Sequence, residues 1–143
     1  MKPGDLTLRI LLGLVALSNI AVGLLGVIPG IDVSKIATLF YSAVLMVTPQ
    51  LEHVTQMFGA YMLTLGILAG LAIKDPPQNR FIIYGVVFML FVRTIQRIFF
   101  AAEAYSVFGI PGTVYWIQTV IFFAVAIALI LLRPRSHKAD MPS

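Results

Sequence analysis

Arg93 and Arg97 stand four residues apart inside an apolar run at 81–102, with Gln96 beside them. A guanidinium keeps its charge at any physiological pH and offers donors in a planar fork that fits carboxylate, phosphate or carbonyl oxygen. A spacing of four puts both arginines on one helix face. Their candidate counter-charges are Glu52, which opens another apolar run with His53 and Gln56, and Glu103, just beyond Arg97. Gln118 lies near the start of a further run. Such groups support self-neutralising ion pairing, recognition of an anionic or carbonyl-bearing ligand, or proton transfer through Glu52 and His53. His53 adds one more chemistry, because a single neutral imidazole suffices as axial ligand of a chlorophyll or a five-coordinate haem.

Other chemistries are excluded by what the chain lacks. Without cysteine there is no disulfide, thiolate metal site, thiol nucleophile or CxxC redox pair. Two histidines, His53 and His137, do not make a protein-only metal site or a bis-histidine haem site. No phosphate-binding glycine loop, GxSxG elbow or HExxH spacing occurs. No catalytic residue is therefore assigned, and no metal.

The elements that must position these residues follow from composition. Of 143 residues, 59% are hydrophobic and 11% charged, against about 25% charged in a soluble domain. The bilayer, not water, is the surface this chain is built to face. A helix needs about 20 apolar residues to cross about 30 Å of hydrocarbon. Four runs qualify, at about 8–28, 51–73, 80–103 and 112–133. The expected fold is an antiparallel four-helix transmembrane bundle forming one domain over 1–135, with a polar tail at 136–143. The first run is too long for a signal-peptide core and lacks a small-x-small cleavage site, so a cleaved leader is not expected.

A fifth apolar stretch, 33–47, is read as a short interfacial helix between spans one and two, capped by Asp32 or Ser34 and stopped by Pro49. Charge decides between four spans and five. With four, the flank that carries both termini and the 74–80 loop collects Lys2, Arg9, Lys74, Arg80, Arg133, Arg135 and Lys138, leaving Lys35 on the other side. The positive-inside rule then puts both termini in the cytoplasm. Tyr105, Tyr115 and Trp116 belong to the outer aromatic belt. The basic tail touches anionic lipid rather than nucleic acid.

Between helices in lipid, close backbone approach replaces hydrophobic drive. Span two carries a stripe of Glu52, Gln56, Gly59, Leu63, Gly66 and Gly70, span one has Ala16, Asn19, Gly23 and Gly26 in the same rhythm, and span four has Ala124 and Ala128. These read as internal packing faces, with Asn19 as an interhelical hydrogen-bond donor. An arginine near the bilayer centre costs about 2.5–3.5 kcal/mol on insertion scales. The expectation is therefore an ion-pair network joining Glu52 and Glu103 to Arg93 and Arg97, with His53, Gln56, Gln96 and Gln118 as hydrogen-bond partners. Two roles stay open for it. It is either a structural staple or the lining of an outward-facing pocket for a lipid or quinone.

The Gly-rich second span (Phe58-Gly59-Ala60 to Gly66-Ile67-Leu68-Ala69-Gly70), the short polar loop after it and the third span ending Arg93-Thr94-Ile95-Gln96-Arg97 resemble the small four-span bacterial proteins grouped as DoxX-like and BphX-like. The resemblance implies a compact multi-pass protein of the bacterial inner membrane, in some cases an accessory to a redox or catabolic system. It carries over no catalytic residue. The expected role is a non-enzymatic accessory or scaffold subunit, partnered by membrane lipid and by a membrane protein or a second copy. The alternative is a lipophile-binding protein or membrane enzyme using Arg93, Arg97, Glu52 and His53. Bound lipid, quinone or a tetrapyrrole on His53 are the candidate ligands, and no cofactor is required. Because the chain has no native thiol, single cysteines at 76 and 137 should react with an impermeant reagent from the same, cytoplasmic, side.

Overall fold

The computed structural model describes residues 3–28, 31, 33–43 and 46–132. These form helices joined by turns and short irregular segments, without strands: α1 (Pro3–Val27), α2 (Val33–Tyr41), α3 (Pro49–Lys74), α4 (Arg80–Phe99), α5 (Ala101–Ser106) and α6 (Gly112–Leu131). Four of them, α1, α3, α4 and α6, are long and apolar enough to cross a membrane. Their surface fits that solvent, since Leu17, Phe81 and Leu131 are each more than two-thirds exposed.

Local chemistry explains most boundaries. Thr48 caps α3 by accepting from the Leu51 N–H at 3.2 Å, and Pro49 follows at the first helical position, where its missing N–H costs nothing. Pro49 thus opens α3 rather than merely stopping what precedes it. Between α3 and α4, the Asp75 side chain accepts from Gln78 N at 3.2 Å, and the Asn79 amide closes on the Asp75 carbonyl at 2.9 Å. Gly109, with φ of 61°, supplies the left-handed residue that the turn before α6 needs.

Three boundaries differ from expectation. The interfacial helix expected over 33–47 ends at Tyr41, because Ser42 turns to a positive φ of 52° and the Thr38 hydroxyl donates to the Ala43 carbonyl at 3.1 Å. The span expected over 80–103 breaks at Phe100, so Glu103 sits on the separate helix α5. The first helix starts at Pro3, with Asp5 and Arg9 paired at 3.6 Å in its opening turns. Asp32, His137, Lys2, Arg133, Arg135, Lys138 and the 136–143 tail lie outside the described residues.

The long helices associate as two pairs, α1 with α3 and α4 with α6. In the first pair the backbones touch. A methyl group added at Gly23 would lie 2.5 Å from the Leu63 nitrogen, at Gly59 2.8 Å from the Gly26 carbonyl carbon, and at Gly66 2.8 Å from the Ile20 nitrogen. Numbers rise along α1 as they fall along α3, so the two run in opposite directions. Gly70 takes little part, since its added methyl would stop 4.0 Å from the Ala16 side chain, an ordinary contact. Ala124 is exposed and Ala128 half-buried, so α6 does not present the alanine face expected of it. Its buried residues are Tyr115, Thr119, Ala126 and Leu129. Asn19 is also corrected: its amide donates to Val15 of its own helix at 2.7 Å, not to a neighbour.

The core lies towards one end. Leu8, Leu12, Val15 and Ala16 of α1 meet Ala69 and Ala72 of α3, Ile83, Val86 and Val87 of α4 and Leu129 of α6 in one buried cluster. Pro76, in the adjoining loop, is fully buried as well. The accessibility test above is therefore better made at the exposed Pro77 than at residue 76. Gly59→Ala must push α1 from α3, and overpacking of this kind costs about 1–3 kcal/mol. Gly85, where an added methyl meets nothing within 4 Å, should accept alanine without loss. Thermal unfolding of both variants in detergent checks the contrast.

Candidate functional site

Away from the core the two helix pairs leave a cavity of about 670 Å³. One wall is apolar, with Phe58, Met62 and Leu65 of α3. Arg93, Gln96 and Arg97 of α4 form another, and Glu103 of α5 and Phe108 of the following turn also line it. A second cavity of about 260 Å³ is lined by Ser18 and Asn19 of α1, Gln118 and Phe122 of α6, and again Met62 and Arg93. Arg93 therefore stands in the walls of both.

The two arginines do different things. Arg97 is half-buried and turned onto α6. Its Nε donates to the Thr119 hydroxyl at 2.9 Å, and one Nη donates to the Tyr115 carbonyl at 2.9 Å and to Gln118 Oε1 at 3.0 Å. Its guanidinium also lies 4.1 Å from the Tyr115 ring centroid, a cation–π contact. Tyr115 completes the link by donating its hydroxyl to the Arg97 carbonyl at 2.6 Å, while Thr119 donates to the Tyr115 carbonyl at 2.8 Å. Phe91 and Phe123 extend the α4–α6 contact edge to face, with centroids 5.9 Å apart. Arg93 has soft side chains among its neighbours. Its Nη1 lies 3.7 Å from Met62 Sδ, and its guanidinium carbon lies 4.8 Å from the Phe122 centroid and 6.0 Å from that of Phe58.

The expected ion pairs of Glu52 and Glu103 are not formed. Among the described residues the salt bridge is Asp5–Arg9. Depth is the reason for Glu52. Arg93 is level with Met62, ten residues along α3 from Glu52, about 15 Å at 1.5 Å per residue. In the first turn of α3, Glu52 instead complements the positive end of the helix dipole. The break at Phe100 puts Glu103 on α5, where it is exposed and lines the larger cavity.

Of the remaining expected residues, Gln96 lines the larger cavity, and Gln118 both lines the smaller one and bonds Arg97. Gln56 is half-buried, and neither it nor His53 lines these cavities. His53 is exposed, so a tetrapyrrole on it would lie against the outer helix surface. Tyr115 is 4% exposed, buried under Arg97 rather than part of an interfacial belt. Trp116 is 45% exposed and Tyr105 37%.

Sequence reading missed Thr119, Phe122, Phe58 and Met62. Thr119 had a signal: with Tyr115 and Gln118 it recurs at steps of three and one, a polar face on an otherwise apolar helix. The aromatic and methionine neighbours of Arg93 had none. Comparison with known proteins gives no match to any family, any curated protein or any solved structure.

If Arg97 is held by neutral acceptors, its variants should rank accordingly. Arg97→Met leaves buried acceptors without their donor and should cost about 1.5–3 kcal/mol, while Tyr115→Phe loses one neutral bond, about 0.5–1.5 kcal/mol. Glu52→Gln and Glu103→Gln should stay within about 0.5 kcal/mol of the native chain. Denaturation in detergent gives the order, and a large loss on either glutamine substitution would restore the ion-pair account.

Proposed function

We propose that this chain is a multi-pass membrane protein that binds a lipophile in the cavity between its two helix pairs. The carrying observation is that cavity: about 670 Å³, inside the usual range for small-molecule sites of about 300–1,000 Å³. Mostly apolar walls with a few convergent polar groups are what such sites use to hold an apolar body and orient a polar end. A lipid or a quinone has that form. The protein acts in this reading as a binder or carrier, and no residue is given a catalytic role.

The membrane arrangement belongs to the same proposal. The four long helices cross the bilayer as an antiparallel bundle, α2 lies at the outer interface, and both termini are cytoplasmic. Basic residues at Arg9, Lys74 and Arg80 support this orientation, and the cavity then opens towards the outer leaflet. The resemblance to DoxX-like and BphX-like proteins supports a place in a bacterial inner membrane.

The role of accessory or scaffold subunit, with a partner protein or second copy, ranks below this reading. It rests on exposed apolar helix faces, and lipid covers such faces equally well. The cavity is what a pure scaffold has no use for.

Native mass spectrometry of the full chain, released from mild detergent, tests the proposal. A retained lipophile is expected, and Val92→Trp, which builds bulk into the cavity wall, should lose it while remaining folded. An empty chain recovered with a fixed protein partner would overturn binding in favour of the accessory role.

A further inference from the structure

The two cavities are unlike in lining, although Met62 and Arg93 belong to both. The larger one has long apolar walls, including Leu65, Met89, Val92 and Phe100. Besides Arg93 its charged residues are Arg97, turned onto acceptors of α6, and Glu103, whose carboxylate repels a second anion. The smaller one gathers Ser18, Asn19, Gln118 and Arg93, and its charged residue is a cation.

The hydrogen bonds around the smaller cavity sharpen this. Gln118 accepts from Arg97 through its oxygen at 3.0 Å, and the other end of its amide carries N–H donors. Asn19 uses one amide proton on Val15 and has a second. A cation and amide donors around about 260 Å³ complement an acceptor-only anion. Charge-assisted bonds from such donors are roughly twice as strong as neutral ones.

Resting on the lipophile site proposed above, we infer that the smaller cavity is the head-group site for a single-chain amphiphile with an anionic head, a carboxylate or a phosphate monoester. Arg93 binds the head, Gln118 and Asn19 donate to it, and the hydrocarbon chain lies in the larger cavity. Arg93 is the hinge of this arrangement because it is the charged residue both cavities share. A quinone or alcohol, with neutral oxygen only, fits the chain site but forgoes the charge-assisted bond.

The test is competition binding to the full chain in nonionic detergent. It compares hexadecanoic acid, hexadecyl phosphate and hexadecanol, which share one chain length, at a pH where the acid is ionised. Both anions should bind at least about tenfold more tightly than the alcohol, a difference of one decade in Kd. The ratio between the two anions tells carboxylate from phosphate. Arg93→Gln should abolish the preference, and Arg93→Lys should keep part of it because the charge remains but the fork is lost. Asn19→Leu should weaken both anions and spare the alcohol, which covers the case in which Arg93→Gln does not fold. Equal binding of acid and alcohol, or a preference that survives Arg93→Gln, overturns the head-group assignment and leaves the lipophile site standing. Unchanged binding of all three to Val92→Trp overturns the lipophile site itself.

Discussion

Everything in this molecule hangs on the contact of α1 with α3. Where lipid is the solvent, apolar side chains gain nothing by leaving it for each other, so helices must approach until backbones touch and dispersion and packing hold them. Gly23, Gly26, Gly59 and Gly66 allow that approach, with no room for a Cβ at the closest points. The result is a closely packed pair whose opposite faces are left for other partners. The pair α4–α6 packs against it chiefly through the core around Leu12, Ile83, Val86 and Leu129. Where that core stops, the two pairs part and the cavities begin.

The second pair is held differently. No glycine stripe joins α4 to α6, and the aromatic pair Phe91–Phe123 and the Arg97 link serve instead. A cation satisfied by carbonyl, hydroxyl and amide oxygens avoids burying a carboxylate beside it, whose desolvation would have to be offset as well. Arg97 is thereby a structural residue. Arg93, one turn away in sequence, instead lines both cavities, and that separates the roles of the two arginines.

The long helices were readable because long uninterrupted apolar runs leave so few choices. Length and apolarity mark four runs, and the glycine spacing in 59–70 marks a packing face. The shared turn of Arg93 and Arg97 was equally plain. Other features left no trace. Phe100 ends α4 without a glycine or proline at the position, and Ser42 ends α2 in a conformation serine seldom takes. Gly66 and Gly70 look equivalent along the chain, yet Gly66 alone of the two meets the α1 backbone closely.

Composition and periodicity, which act within one helix, were enough to state the four long apolar helices and the presence of two arginines within one of them. Choosing the partner of each cation was beyond them. Opposite charges suggested Glu52 and Glu103, because attraction between types is all that a linear pattern can express. Relative depth and rotation of packed helices chose Thr119, Gln118 and the Tyr115 carbonyl for Arg97, and Met62 and Phe122 for Arg93. Those two quantities are set by the contact of α4 with α6 and, through the shared core, of α4 with α3. They exist only once distant segments have packed.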